Sequence, residues 1–182
     1  KSENALRALA QPDSTRNLSA TRGVNVFGFL HGESGVSTAT RGYIRGLQTL
    51  GIPVACQDLA KLSANCSVKT TQSNDRLNWP YDINLVCVDI EKHYAALGMI
   101  GFEHFDTAYN IGLWWWELMQ FPSKWHDRFA YYDEIWVGTS FIANALAPVS
   151  PIPVIRIPPV LTTNGHGDRA AGRRLLDVQD SE

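Results

Sequence analysis

The sequence predicts an α/β fold: a Rossmann-like, doubly wound parallel sheet of about six strands with helices on both faces. Short apolar runs alternate about six times with helical patterns along the chain, and the run INLVCVD (83–89) is almost wholly apolar. Alternating strand and helix signals are typical of a parallel sheet. A strand with few polar residues is typical of one buried on both faces.

Length and composition limit the classes of protein to consider. The chain has 182 residues, 45% of them hydrophobic, and a net charge of −2. That size suits one domain with tails. The absence of a Lys/Arg run argues against nucleic acid or a membrane surface as the main partner. No apolar run reaches the ~18 residues of a membrane span, so no integral membrane segment is expected.

The three cysteines point to a reducing compartment. Cys56, Cys66 and Cys87 form no CxxC pair and no Cys/His cluster, so neither a metal site nor a disulfide framework is expected. Cys56 and Cys87 fall in apolar runs, where we expect them to be small buried hydrophobic residues. A cytoplasmic location fits this usage best.

The boundaries of the predicted elements follow from turn and cap residues. Gly51 is expected to stop the first main helix, and Pro122 suits the first turn of a later one. The predicted strands are 24–30, 52–59, 83–89, 109–116, 134–139 and 153–159. The predicted helices are 36–51, 90–97, 122–131 and 140–147, with weaker helical signals at 3–9 and 168–176 and a long loop at 60–81. The domain organisation is then a polar arm (1–22), a Rossmann-like domain (23–161) and a linker or tail (162–182).

The loop after the first predicted strand is rich in glycine. It reads His31-Gly32-Glu33-Ser34-Gly35 and opens directly into a helical pattern that Ser37 or Thr38 could cap. Glycines let a backbone approach an anion, and a helix N-terminus favours negative charge. The loop is neither GxGxxG nor a Walker A sequence. A ligand loop and a simple strand-to-helix turn both remain open.

The loop after the fourth predicted strand contains three consecutive tryptophans. Because strand side chains alternate faces, Trp115 is expected to face opposite to Trp114 and Trp116, which suit the core. An aromatic ring at a strand end also suits the C–H face of a sugar. Glu117 could then accept a hydrogen bond from a hydroxyl group, or it could simply cap a helix or form a salt bridge.

The turn GTSF (138–141) follows the fifth predicted strand. Thr139 or Ser140 is expected to cap the next helix, and the turn could also offer N–H groups to a ligand. No histidine stands at a recognisable spacing from a nucleophile, and G-x-S-x-G is absent, so no hydrolase triad is predicted.

Taken together, these segments resemble the N-terminal domain of glycosyltransferases of the GT-B fold, in particular the family-4-like group (glycosyltransferase group 1). The similar text is GVNVFGFLHGESGVSTATRGYIRGLQTLGIPV, INLVCV, YNIGLWWWEL with FPSKW, and DEIWVGTSFIANAL with SPIPVIRIPPV. It covers about Val24 to Val160, and the part from Tyr109 to Phe141 is the most specific.

The resemblance implies the acceptor-side half of an enzyme that transfers a hexosyl group from a nucleotide sugar to an acceptor hydroxyl, with retention and without a metal or other cofactor. It implies that Gly32, Glu33, Ser34 and Gly35 bind the substrate and the donor phosphates. It implies an acceptor side that includes Trp115 and Glu117. We add three candidates that lie at the ends of predicted strands: His31, Thr139 and Ser140.

The resemblance also implies partners: the nucleotide sugar, a carbohydrate or glycan acceptor, and a C-terminal donor-binding domain. The chain ends at Glu182, where a linker to that domain is expected. We therefore expect the chain alone to be inactive, since the leaving diphosphate needs charged groups from the other domain. The alternative is a non-catalytic sugar- or nucleotide-binding module. A nicotinamide-dependent oxidoreductase fits poorly, because Asp58 at the end of the second predicted strand lacks an accompanying GxGxxG.

Overall fold

The computed structural model describes residues 22–62, 79–160 and 168–176. Six strands form one sheet in the order β2-β1-β3-β4-β5-β6, and every adjacent pair is parallel. The strands are β1 (Val24–Gly28), β2 (Val54–Asp58), β3 (Ile83–Cys87), β4 (Tyr109–Trp114), β5 (Glu134–Val137) and β6 (Val154–Arg156). The predicted α/β architecture, Rossmann-like and doubly wound with flanking helices, is confirmed.

Helices connect the strands. The α-helices are α1 (Gly35–Thr49), α2 (His93–Ile100), α3 (Phe102–Thr107), α4 (Ser140–Leu146) and α5 (Arg169–Leu175). The 3-10 segments are Ala60–Leu62, Ile90–Lys92 and Ser123–Tyr131. Within the described ranges no helix has both the length and the apolar character needed to cross a membrane.

Several predicted boundaries were wrong by a few residues. The fourth strand ends at Trp114, so Trp115 and Trp116 belong to the loop and do not alternate as strand residues. The segment predicted as a helix at 122–131 is a 3-10 helix, and α3 had no counterpart in the prediction. The weak helical signal at 168–176 is confirmed as α5, whereas the signal at 3–9 and most of the loop at 60–81 lie outside the described residues.

The helix caps explain where the helices begin and end. Ser34, not Ser37 or Thr38, caps α1: its hydroxyl accepts from the N–H of Ser37 at 3.2 Å. The cap prediction was wrong because the helix starts one residue earlier than its apolar pattern. Gly51 has φ +70°, a conformation that suits glycine after a helix, as predicted.

Two hydrophobic clusters lie on the two faces of the sheet. The larger one includes Phe27, Val86 and Trp114 and packs under the 3-10 segment 123–131, α2, α3 and α4. The smaller one includes Val26 and Leu85 and packs under α1. The helices on both sides bury the central strand β3 almost completely, as its apolar sequence predicts.

The two described cysteines differ in burial. Cys87 on β3 is fully buried, as predicted, and burial raises its pKa to about 12. Cys56 is exposed, so its predicted burial was wrong. The reason is position: β2 is an edge strand of the sheet, whereas β3 lies inside it.

The segment after β6 crosses back over α1. The hydroxyl of Tyr43 donates to the carbonyl of Ile157 at 2.5 Å, and burial raises the pKa of Tyr43 to about 12. A Cβ on Gly42 would overlap the carbonyl oxygen of Val160. The small residue at position 42 therefore lets the chain lie directly on the helix.

Candidate functional site

The carboxyl ends of the six strands form one rim of the sheet, and this rim carries the candidate residues. Because β1 lies between β2 and β3, the strand order reverses between β1 and β3, which makes their carboxyl ends the topological switch point. Ligands of open parallel sheets bind in the crevice at such a point. The glycine loop (31–35) follows β1 and therefore lies at this crevice.

The glycine loop is folded against the start of α1. A Cβ on Gly32 would lie 2.7 Å from Oγ of Ser37, so a side chain there would disturb a buried residue. Gly35, the first residue of α1, has no atom within 4 Å of the equivalent position. Packing therefore explains the glycine at 32, whereas the space beside Gly35 is open to a ligand.

Arg41 holds the loop from the helix side. Its Nη1 donates to the carbonyl oxygens of Leu30 and Gly32, each at 2.9 Å. Since the bonds lie on both sides of His31, the backbone at that residue is fixed. The side chain of His31 is nevertheless 68% exposed, and its Nε2 lies 3.8 Å from Oδ2 of Asp58.

The loop after β4 (residues 115–122, the tryptophan loop) is held in place by aromatic contacts. Nε1 of Trp116 donates to the carbonyl of Gln120 at 3.0 Å, and its ring meets Phe121 and Trp125 edge-on. This brace leaves the tip of the loop in solvent, where Glu117 is exposed beside the equally exposed Leu118. Glu117 is thus presented at the rim.

Trp115 lies where the two hydrophobic clusters meet, and it packs against both. A Cβ on Gly138 would lie 2.8 Å from Cη2 of this ring, so the turn after β5 rests on the indole. Its Nε1 is buried and has no hydrogen-bond partner among the described residues. A buried indole N–H usually has a partner, and the described residues supply none here.

In the turn after β5, Thr139 caps the next helix and Ser140 is exposed. Thr139 caps α4, with its Oγ1 accepting from the N–H of Ile142 at 3.2 Å, which confirms the predicted cap. Ser140 is the first residue of the helix and is exposed. Both lie at the rim next to the tryptophan loop, because β4 and β5 are neighbours.

Three charged residues of the rim were missed or underrated by sequence reasoning. Lys92 follows β3, bonds Oδ2 of Asp89 at 3.2 Å and lies 4.8 Å from the ring of Phe29, which follows β1. This contact places a cation at the β1/β3 crevice. Asp58 and Arg41 fix the glycine loop. Each of the three lies within a few residues of a strand end or of the glycine loop. A correct prediction of the strand order would have shown that they lie near one another.

A histidine near the rim is structural. His93 begins α2, is buried, and its Nδ1 lies 3.0 Å from the hydroxyl of Tyr132. Burial, and secondarily the nearby positive charge of Arg128, lower the pKa of His93 to about 4. Within the described ranges no three His, Cys, Asp or Glu side chains are grouped as a metal site requires.

The rim therefore brings all the predicted site residues to one edge, in two groups. His31 to Gly35 lie after β1, and Trp115, Glu117, Thr139 and Ser140 lie after β4 and β5. Since β3 lies between β1 and β4, these two strands are about 10 Å apart, and β5 lies one strand spacing farther from β1. A ligand the size of a nucleotide sugar could contact both. Comparison of the chain with protein-family models, curated proteins and solved structures finds no match.

Proposed function

We propose that this chain is the acceptor-side domain of a glycosyltransferase that transfers a hexosyl group from a nucleotide sugar to an acceptor hydroxyl. The observation that carries the proposal is the common rim: an open glycine loop at a helix N-terminus and a tryptophan–glutamate loop lie about two strand spacings apart. The resemblance of the sequence to family-4-like transferases supports the same assignment.

The glycine loop is the proposed contact for the donor phosphates. The first N–H groups of a helix have no partners within the helix, and the helix dipole favours an anion there. Open space beside Gly35 lets phosphate oxygens approach these groups. Lys92 across the crevice supplies a positive charge. Gly32, Glu33, Ser34 and Gly35 would then line the donor side.

The tryptophan loop and the turn after β5 form the proposed acceptor side. A sugar needs an apolar surface for its C–H groups and polar partners for its hydroxyls. The half-buried ring of Trp115 offers the apolar surface, and the exposed Glu117 carboxylate offers an acceptor for a hydroxyl. The hydroxyl of Ser140 and the exposed ring of His31 add polar groups at the same rim.

In the proposed reaction the oxygen of an acceptor hydroxyl forms a bond to the anomeric carbon while the bond from that carbon to the diphosphate breaks, and the hydroxyl proton passes to the leaving diphosphate. The nucleoside diphosphate leaves with the electron pair and needs positive charge or N–H donors around it. Among the described residues, the rim offers the N-terminus of α1, Lys92, which pairs with Asp89, and Arg41, whose Nη1 bonds the loop carbonyls. We therefore propose that further cationic groups come from a second, donor-binding domain and that this chain alone does not turn over.

A non-catalytic sugar- or nucleotide-binding module is the second candidate. It uses the same rim and the same exposed loops. Turnover separates the two, because only the transferase releases nucleoside diphosphate when the chain is combined with a donor-binding domain.

Binding by thermal denaturation tests the proposal. A ligand that binds only the folded state raises Tm, so UDP- and GDP-hexoses should raise Tm more than methyl hexosides do, and NAD should not raise it. A Tm that rises with NAD alone, or with none of these ligands at millimolar concentration, would contradict the assignment.

Two lysine variants localise the effect. Lys92→Gln should weaken nucleotide-sugar binding about tenfold, the equivalent of about 1.4 kcal/mol for one charged contact to phosphate. Lys124→Gln is the matched control, since Lys124 also lies over an aromatic ring, 4.5 Å from that of Trp125, but belongs to the 123–131 segment. Equal nucleotide-sugar affinity of the two variants would show that Lys92 does not contact the donor.

A further inference from the structure

The buried carboxylate of Asp58 lies between two loops of the rim. Asp58 ends β2, and its side chain is only 10% exposed. Its Oδ1 accepts from the N–H of Leu30 at 3.2 Å and from the N–H of Ala60 at 3.0 Å. One oxygen of the carboxylate therefore fastens the loop after β1 to the loop after β2.

The other oxygen of Asp58 is not satisfied in the same way. Oδ2 is buried and has no hydrogen-bond partner among the described residues. A buried carboxylate oxygen without a donor is costly. Nε2 of His31 lies 3.8 Å away, within ion-pair range but beyond hydrogen-bond length. Catalytic hydrogen bonds are often long in unliganded sites and shorten when substrate binds.

The position of His31 is fixed although its ring is exposed. Leu30 is held through its N–H by Asp58 and through its carbonyl by Arg41, and Arg41 also holds the carbonyl of Gly32. The backbone is thus bonded on both sides of an imidazole that is 68% exposed. Such an arrangement presents a side chain to solvent in a defined place.

The carboxylate decides which ring nitrogen carries the proton. Oδ2 is an acceptor only, so the neutral imidazole is most stable with its hydrogen on Nε2, facing Asp58. Nδ1 is then left with a lone pair. That nitrogen can accept a hydrogen bond from a hydroxyl group, but it repels a phosphate oxygen, which is also an acceptor.

We propose that Asp58 holds His31 in the Nε2–H form, so that Nδ1 of His31 accepts a hydrogen bond from a hydroxyl of the sugar acceptor. His31 then belongs to the acceptor and not to the donor diphosphate, and Asp58 is its positioning residue. The proposal rests on the proposed function for the identity of the hydroxyl, whereas the His31–Asp58 pairing stands on its own contacts.

The ring nitrogens of His31 can be observed by ¹⁵N NMR on the 182-residue chain. At about pH 8.5, where an ordinary imidazole is neutral, the spectrum should show a single Nε2–H tautomer. In Asp58→Asn, the amide oxygen can keep the two backbone bonds while the NH₂ group faces the ring, so the tautomer should change to Nδ1–H. Asp89→Asn is the control, since Asp89 pairs with Lys92, and it should leave the tautomer unchanged.

Ligand titrations complete the test. Methyl hexosides should shift the Nδ1 resonance of His31 in the wild type and shift it much less in Asp58→Asn, whereas inorganic pyrophosphate should leave Nδ1 unshifted and instead move the amides of Gly32 and Gly35. A mixed tautomer in the wild type would overturn the pairing, and that measurement does not depend on whether Asp58→Asn folds.

Two further outcomes separate this proposal from the proposed function. If hexosides or nucleotide sugars shift Trp115 and Gly35 but leave Nδ1 of His31 unmoved, the role of His31 is overturned and the transferase assignment stands. If none of these ligands shifts any resonance of the rim, both are overturned.

Discussion

The two ends of this sheet differ in the exposure and pairing of their polar side chains. At the amino end, three asparagines in register on β1, β3 and β4 form a buried chain of amides: Asn25 donates to Asn84 at 2.9 Å, and Asn84 donates to Asn110 at 2.8 Å. At the carboxyl end, His31 and Glu117 are exposed, and buried polar atoms of Asp58 and Trp115 have no hydrogen-bond partner among the described residues.

The contrast indicates where a ligand can act. In the amide chain most polar atoms bond within the protein: Asn110 also donates to the carbonyls of Phe105 and Ala108, and His104 lies 2.9 Å from Oδ1 of Asn84. Oδ1 of Asn25 is the exception, since it has no partner among the described residues. Such bonds stabilise the order of the central strands. At the carboxyl rim, the exposed side chains of His31 and Glu117 and the open space beside Gly35 are accessible from solvent, which is what binding a polar ligand requires.

The largest effect is expected at the amino end. Asn84→Ala removes the central amide, leaving Oδ1 of Asn110 and the ring of His104 without this partner in a buried place. At about 1–3 kcal/mol for each buried group, we expect the free energy of unfolding to fall by about 4 kcal/mol. Urea denaturation measures this loss.

Glu117→Ala is the control at the carboxyl end. Because Glu117 is exposed, the same measurement should change by no more than about 0.5 kcal/mol. Equal losses in the two variants would contradict the division between a structural end and a binding end.

A second prediction concerns His93, the buried histidine that follows β3. The pKa of His93 is about 4 in the folded chain, below the ordinary 6.5, so between these values the unfolded chain binds the proton more readily. Stability from this group is complete above about pH 6.5 and is lost as pH falls towards 4, by up to about 3 kcal/mol.

The variant His93→Gln isolates this contribution. Gln can keep a hydrogen bond to Tyr132 but does not titrate, so the unfolding free energy of the variant should fall less steeply between pH 6.5 and 4.5 than that of the wild type. Identical slopes in wild type and His93→Gln would show that the buried ring is not the cause.

The sequence predicted the sheet well because the apolar composition of a short segment indicates whether a strand is buried. The run INLVC predicts a covered strand from five residues alone, and β3 is buried as expected. The edge position of β2 could not be predicted from its own residues, because an edge is a property of strand order, and the burial expected of Cys56 was therefore wrong.

The candidate site was predicted only in part for the same reason. The glycine loop can be recognised from its local sequence. The hydrogen bond from Leu30 to Asp58 cannot, because it joins residues 28 positions apart. The contact between Lys92 and Phe29 joins residues that are more than twice as far apart in the sequence and that follow two different strands. Long-range pairs of this kind follow from topology, and no local pattern specifies them.

Smaller effects on stability than those at Asn84 and His93 are expected at two glycines of the loop, Gly32 and Gly35. Gly35→Ala adds a methyl group into open space at the first helical position, so unfolding free energy should stay constant or rise by up to about 1 kcal/mol. Gly32→Ala places Cβ against the buried Ser37 and should cost about 1–2 kcal/mol.

Gly35→Ala should weaken ligand binding although it leaves the fold stable. The methyl group that the fold accepts would stand where phosphate oxygens approach the helix N-terminus, so the Kd for a UDP- or GDP-hexose should rise about tenfold, equivalent to about 1.4 kcal/mol. Calorimetric titration measures the Kd, and urea denaturation of the same sample confirms the fold. A Gly35→Ala chain that binds as the wild type does would mean that residues 31–35 are only a turn between β1 and α1, because the open space would then have no ligand to serve.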